Sequence, residues 1–247
     1  MTYAEKCSKF AEYINESKHT VFFGGAGVST ESSMKDYRSE NGLYNTVNDF
    51  GYSPETILSR SFLEKHPDIF YKFFSEYFFC DVLPNDAHKT LAKLEASKKL
   101  QAVITQNIDM LHQRAGSKNI IELHGNMSRY HCHKCNMQND KARDTAARGE
   151  IPYCKNCGGV CRPDIILYEE ALDSSVIDKA INEISQAELL IIGGTSLCVY
   201  PAAGFLRYFR GKHIVLINKS ATNYDSSADI VFSESIGKVL KDVYEKI

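Results

Sequence analysis

The stretch VFFGGAGVSTESSMKDYR, Val21 to Arg38, begins as an apolar strand and runs directly into glycines. A strand that breaks into Gly24-Gly25-Ala26-Gly27 and then into hydroxyl residues suits a turn whose free backbone N–H groups cradle a pyrophosphate. The dinucleotide fingerprint G-x-G-x-x-G would place a third glycine where this chain has Thr30. It would also place a ribose-binding acid about 20 residues further on, at the end of a second strand. The region from Gly42 to Tyr52 shows no strand period. The turn is therefore nucleotide-like without being that of a dehydrogenase, and by itself it is also compatible with a simple turn after a buried strand.

Working outward, short apolar runs recur at Thr20 to Phe23, Ala102 to Thr105, Asn119 to Leu123 and Asp164 to Tyr168. Further runs lie at Glu188 to Gly194, His213 to Asn218 and Asp229 to Phe232. Strands that are apolar throughout and separated by helical stretches predict an α/β fold, a doubly wound parallel sheet of Rossmann-like type covered on both faces. Two connections are too long for simple crossovers. One holds Ile57, Phe62, Ile69, Phe70, Phe73, Phe74 and Tyr77, the aromatic face of a helical insertion. The other, Arg129 to Arg162, is poor in large apolar residues and rich in cysteine, so burial alone would not hold it. The expected organisation is a Rossmann-like domain over 1–34, 81–128 and 162–247, a helical insertion with the cofactor loop over 35–80, and a zinc-ribbon module over 129–161.

A length of 247 residues suffices for a full core, and a net charge of -2 gives no electrostatic footprint for nucleic acid or a membrane surface. The N-terminal segment has charges every few residues and reads as an amphipathic helix, not a signal peptide. Eight cysteines without an export signal point to reduced thiols or a metal site, and to the cytoplasm.

Cys132 and Cys135 form one C-x-x-C, and Cys154 and Cys157 form another after an 18-residue spacer. Paired knuckles of this spacing predict one structural zinc ion per chain, closed on four thiolates. Cys161, His131 and His133 stand close enough in sequence to compete, at the cost of breaking the knuckles.

The remaining polar residues gather where the strands end. Gln106, Asn107 and Asp109 follow the Ala102 to Thr105 strand, His124 closes the next one in ELHG, and Thr195 and Ser196 follow GG in GGTSL. Ligands of such sheets sit at the carboxyl ends of the strands. Each residue also has a plain structural reading: Asp109 as a helix cap, His112 as a helix-surface residue, His124 as a core histidine. Their joint recurrence at strand ends favours a site.

In order along the chain stand Gly25-Ala26-Gly27-Val28-Ser29, Thr105-Gln106-Asn107-Ile108-Asp109, Leu111-His112 with Ala115-Gly116, Glu122-Leu123-His124-Gly125, the two C-x-x-C pairs, Arg162-Pro163-Asp164 and Gly193-Gly194-Thr195-Ser196-Leu197. Over essentially its full length the chain resembles the sirtuins, NAD-dependent protein lysine deacylases, and most of all the bacterial ones. The resemblance implies that NAD is consumed: the acyl oxygen of an acylated lysine attacks C1′ of the nicotinamide ribose, nicotinamide leaves, and the products are free lysine and O-acyl-ADP-ribose. It implies His124 as the base that accepts a ribose hydroxyl proton, with Asn107 as its catalytic companion. By the same resemblance NAD is held by Gly25, Ala26, Gly27, Thr30, Tyr37, Arg38, Gln106, Asn107, Asp109, His124, Thr195 and Ser196, and its adenine end by Gly193, Asn218, Lys219 and Ile236. The acylated-lysine peptide is expected to add as a strand between Ile166, Leu167 and Tyr168 on one side and Val199 and Tyr200 on the other. A monomer is expected, with no direct contact to nucleic acid or membrane.

The chain departs from the usual sirtuin loop G-I-P-D-F-R, which here is Ser33-Met34-Lys35-Asp36-Tyr37-Arg38, and from the F-G-E ending, which here is Leu167-Tyr168-Glu169-Glu170. The Tyr-x-x-Arg pair of succinyl- and malonyl-selective sirtuins is missing, because Tyr71 is followed by Phe74 and Tyr77 by Cys80. A neutral acyl group, acetyl or longer, is expected. Competing readings are a mono-ADP-ribosyltransferase on the same fold and a catalytically weak NAD- and zinc-binding interaction module.

Overall fold

The structure, a computed structural model, describes residues 1–36, 42–43 and 50–247. Tyr37 and Arg38, two of the expected cofactor residues, lie outside the described residues. Helix α1 (Tyr3–Glu16) opens the chain with a capping box, Thr2 and Glu5 each bonding the other's backbone amide. It buries Cys7, Phe10, Ala11 and Ile14, a stripe at helical spacing. Strand β1 (Thr20–Gly24) follows and ends in two short 3-10 turns, Ala26–Val28 and Thr30–Ser32.

A helical insertion comes next: α2 (Pro54–Ile57), α3 (Arg60–Lys65) and α4 (Pro67–Phe78). The chain returns through α5 (Asp86–Ala96), β2 (Ala102–Thr105), α6 (Leu111–Ala115) and β3 (Ile120–Glu122). It then passes through β4 (Gly125–Cys132), α7 (Ala142–Ala147) and β5 (Cys161–Ile165). Helix α8 (Ser174–Gln186), β6 (Leu189–Gly193), a 3-10 segment (Ala202–Tyr208), β7 (His213–Ile217), β8 (Ile230–Phe232) and α9 (Ile236–Tyr244) complete it.

Six strands form one parallel sheet in the order β3-β2-β1-β6-β7-β8. From β1 the chain winds outward to β3, then comes back to lay β6 on the other side of β1, with Gly24 opposite Gly193. That adjacency is the topological switch point, where a doubly wound sheet opens a crevice at its carboxyl edge. Both faces are covered. Phe22, Ile191, Val215 and Ile217 pack on α1, α5 and α9, whereas Val21, Phe23, Leu190 and Ile192 pack on α8 and the Ala202–Tyr208 segment. Alternate residues of each strand thus meet opposite cores, which is why the runs are apolar throughout.

The apolar run Asp164 to Tyr168 is not a strand of this sheet, contrary to the sequence expectation. Residues Cys161–Ile165 pair antiparallel with β4 in a separate ribbon, Gly125 opposite Ile165 and Cys132 opposite Cys161. Gly125, at φ +69°, permits the close approach, since a Cβ there would stand 2.1 Å from the Asp164 carbonyl oxygen. Beyond Ile165 the chain extends along the helical insertion, where the Tyr168 N–H donates to the Leu58 carbonyl (3.0 Å) and the Arg60 N–H to the Tyr168 carbonyl (3.1 Å).

The helices and the ribbon share one core. Ile57, Phe62, Phe70, Phe73 and Phe74 pack with Met127, Tyr130, Cys132, Cys161 and Ile165, and the Tyr71 hydroxyl donates to the Cys161 carbonyl. The ribbon therefore straddles the boundaries expected at 128/129 and 161/162. Each fully buried phenylalanine contributes about 1.5–3 kcal/mol, so the aromatic helices supply the apolar support that the cysteine segment lacks.

Candidate active site

A cleft of about 550 Å³ opens where β1, β2 and β6 end and the ribbon begins. Its floor is a pair of interlocked glycine turns. The Gly25 N–H donates to the Gly193 carbonyl (3.3 Å) and the Gly27 N–H to the Gly194 carbonyl (2.7 Å). A Cβ on Gly27 would lie 2.8 Å from Gly194 Cα, and one on Gly194, at φ +60°, would lie 2.3 Å from the Val28 nitrogen. Only glycine brings the two strand ends this close. The Ala26 amide, on the cleft wall at the start of a helical turn, meets no partner among the described residues. An N–H so placed suits a phosphate oxygen.

Side chains just beyond the end of β2 brace this floor. Gln106 Nε2 donates to Thr195 Oγ1 (3.2 Å), which also accepts the Leu197 N–H (3.2 Å). Asn107 Nδ2 donates to Ser29 Oγ (3.0 Å), and the Ser29 hydroxyl in turn donates to Asp109 Oδ2 (2.6 Å). The second Asp109 oxygen accepts the Leu111 N–H (2.8 Å), capping α6. Burial pushes the Asp109 carboxyl up, and the Ser29 hydroxyl and Leu111 amide oppose that shift. The relay fixes the Asn107 amide in the cleft.

His124 stands at the turn between β3 and β4, its Nδ1 2.9 Å from the Gln106 carbonyl oxygen. A carbonyl only accepts, so Nδ1 carries the proton and Nε2 keeps its lone pair. Burial lowers the pKa of the ring, against the raising effect of the Gln106 bond. The imidazole lining the cleft is therefore a neutral base of defined tautomer.

Of the expected cofactor residues, Gly25, Ala26, Gly27, Gln106, Asn107, His124, Thr195, Ser196 and Asn218 line the cleft. The expected peptide residues Ile166, Leu167, Tyr168, Val199 and Tyr200 line it as well. Five others do not. Asp109 lies behind Asn107 and Ser29, both its oxygens already engaged. Thr30 turns its hydroxyl back to the Gly27 carbonyl (3.0 Å) and props the turn. Gly193 and Ile236 pack on each other, with Ile236 Cδ1 2.3 Å from the position of a Gly193 Cβ. Lys219 is exposed and stands outside the cleft.

Sequence reasoning passed over Ser29 as a site residue, although its hydroxyl joins Asn107 to Asp109, and passed over Gly194. The repeated Gly-Gly at the ends of β1 and β6 was the signal for the latter. It also passed over Leu58, Phe78 and Ile108, which form an apolar wall. Nothing in an aromatic stripe separates a lining residue from a core one.

Beneath this layer lie two buried histidines, not the surface position considered for His112. The rings of His88 and His112 meet edge to face with centroids 4.7 Å apart. His88 Nδ1 lies 3.0 Å from Asn85 Oδ1 and 3.4 Å from the Asn85 backbone nitrogen, whereas His88 Nε2 and both His112 nitrogens meet no partner among the described residues. Burial holds His88 down at about 3 and His112 at about 4.

In the ribbon, the sulfurs of Cys132, Cys135, Cys154 and Cys157 all lie within 4.8 Å of one another. Cys132 and Cys157 are 3.5 Å apart and Cys135 and Cys154 3.7 Å. Sulfurs at about 2.3 Å from a tetrahedral zinc stand roughly 3.8 Å apart, so the four fit one structural ion. Cys161 is turned away, its sulfur accepting from Asn139 Nδ2 (3.3 Å), and His133 is engaged with Glu64 (3.1 Å).

Residues 25–201 match the model of the Sir2 family. The NAD-dependent protein deacetylase of Clostridium acetobutylicum is 52% identical over 244 residues, covering 98% of this chain and 100% of its own. A solved structure described under the mechanism and regulation of Sir2 enzymes superposes with a TM-score of 0.90 at 36% identity, covering 98% of this chain and 97% of that one. A Sir2 in complex with an inhibitor, 2′-O-acetyl-ADP-ribose and a deacetylated peptide superposes at 0.84, with 36% identity over 96% of this chain and 97% of that one.

Proposed function

The chain belongs to the Sir2 family, and from that footing we propose how its cleft removes acetyl groups from protein lysine side chains at the expense of NAD. It is an NAD-dependent protein deacetylase, with lysine, nicotinamide and O-acetyl-ADP-ribose as products. When bound, the dinucleotide supplies a sugar carbon with nicotinamide as leaving group and ADP-ribose as the acetyl acceptor. The chain's own residues do the rest. The interlocked turns of Gly25 to Gly27 and Gly194, with Thr195 and Ser196, hold the phosphates, and Asn218 holds the adenosine end. Asn107, oriented by Ser29 and Asp109, contacts the nicotinamide side. His124 Nε2 takes a proton from a ribose hydroxyl. Ile166 to Tyr168 and Val199 to Tyr200 receive the acetylated peptide.

One observation carries this reading: a neutral histidine, its tautomer set by the Gln106 carbonyl, shares a cleft with the glycine turns. Leu58, Phe78 and Ile108 line the cleft, and their apolar surface favours neutral acyl groups. Among the described residues no helix is long and apolar enough to cross a membrane. A cytoplasmic location is the accompanying reading, supported by the free thiols of Cys7, Cys80, Cys161 and Cys198, and a monomer is proposed with it.

The deciding experiment is nicotinamide release from NAD with and without an acetyl-lysine peptide. Peptide-stimulated release with acetyl-ADP-ribose formation is expected, and a succinyl peptide should react much more slowly. Release that ignores the peptide and leaves label on protein would replace deacetylation with ADP-ribosyl transfer.

A further inference from the structure

Two consecutive acids of the segment that follows the ribbon point in opposite directions. Glu170 turns inward to Arg162, whose Nη1 and Nη2 both donate to its carboxylate while Nη2 also reaches the Ile165 carbonyl (2.8 Å). A Glu170 oxygen in addition accepts the Leu167 N–H (2.8 Å). Glu169 turns outward to the helical insertion. One carboxylate oxygen accepts the Ser61 N–H (2.9 Å) and the other the Ser61 hydroxyl (2.8 Å).

The position of Ser61 gives the second contact its meaning. It lies in the first turn of α3, where backbone N–H groups lack helical partners. The Arg60 N–H is taken by the Tyr168 carbonyl (3.1 Å), the Ser61 N–H by Glu169, and the Phe62 N–H by Ser59 Oγ (3.3 Å). Two of these three donors are thus satisfied by the wall of the cleft, and an anion at a helix start gains from the helix dipole as well. Glu169 adopts φ +74°, a backbone state that glycine enters freely and a glutamate does not. A residue kept in that state while its side chain makes two bonds across to another element is held there by those bonds.

We infer that Glu169 is a positioning residue for the acetyl-peptide. By clasping Ser61 it anchors the Leu167–Tyr168 wall to α3 and sets the width of the entrance between that wall and Tyr200. The inference rests on the reading of Ile166 to Tyr168 as a peptide-binding wall. Tyr168, Glu169 and Ser61 also border a second, open depression with Tyr52, Phe62 and His66.

The test compares wild type with Glu169→Gly and Glu169→Gln. The glycine variant relaxes the backbone and removes the clasp. The glutamine variant keeps an oxygen for the Ser61 amide and an N–H for the Ser61 hydroxyl. With Glu169→Gly the KM for acetyl-peptide should rise about fivefold or more while the KM for NAD stays within about twofold, and with Glu169→Gln the peptide KM should return to within about twofold of wild type. Hydrogen exchange at the Ser61 amide should quicken in Glu169→Gly and be restored in Glu169→Gln. An unchanged peptide KM in the glycine variant, or an equal rise in both KM values, overturns the inference. Wild-type protein without deacetylation would overturn the functional reading instead, and the exchange at Ser61 would still decide whether the clasp exists.

Discussion

Acid should loosen this enzyme through the histidine pair beneath its cleft. His88 and His112 are neutral in the folded chain, held at about 3 and about 4 by burial. An exposed histidine titrates near 6.5. Both folded values are depressed, so the stability tied to them is fully present above about pH 6.5 and is lost as pH falls. Below that point the unfolded chain takes up two protons that the folded chain refuses. Each proton changes the free energy of unfolding by about 1.4 kcal/mol per pH unit, so the pair gives a slope of about 2.7 kcal/mol per unit. By pH 5 the accumulated loss is about 4 kcal/mol, a large part of the roughly 5–15 kcal/mol available to a domain. The damage would reach the active site directly, because α6, which carries His112, is capped by the same Asp109 that holds Ser29 and, through it, Asn107. The assay is urea unfolding from pH 7.5 to 5 with zinc in excess, followed by circular dichroism or tyrosine emission, as the chain has 14 tyrosines and no tryptophan. His112→Phe, whatever its effect at neutral pH, should lower the acid slope by about 1.4 kcal/mol per unit, since one of the two protons no longer counts. Other acid-labile groups, the cysteine cluster included, are common to both proteins and cancel. Parallel pH dependences for wild type and His112→Phe would refute the reasoning.

Three further outcomes follow from the site. His124→Ala should lose more than about a hundredfold in kcat, the lower range for a positioned base, and activity within a few-fold of wild type would remove His124 from the mechanism. Gly194→Ala forces a Cβ to 2.3 Å from the Val28 nitrogen at φ +60°; it should weaken NAD at least about tenfold by titration calorimetry through displacement of the turn, and an unchanged Kd would show that the interlocked glycines are not the phosphate floor. Cys132→Ala or Cys154→Ala should abolish stoichiometric zinc measured by atomic absorption, with loss of the ribbon's folding and no metal-dependent chemistry at the cleft; full zinc retention would exclude the four-thiolate site.

The sequence by itself determined the layers and the metal. Runs such as Val21 to Phe23 and Leu189 to Ile192 are apolar at every position because alternate residues enter different cores, and that pattern is visible without coordinates. The two C-x-x-C pairs carry their geometry in their spacing, and the glycines after β1 and the histidine of ELHG announced a site at strand ends. What only the tertiary structure decided is where each of those residues faces and what it meets. Gly125 brings β4 against the run that looked like a further sheet strand, a pairing set by backbone approach between segments far apart in the chain. Asp109 and Ser29 are 80 residues apart yet 2.6 Å from each other, so the carboxylate expected in the cleft supports it from behind. The tautomer of His124 depends on the Gln106 carbonyl, and the backbone of Glu169 on a serine in another lobe. A local pattern reports propensity and periodicity within a few turns of chain. Hydrogen-bond partners, close backbone contacts and burial are properties of pairs brought together by folding, and they are not encoded in any one window of sequence.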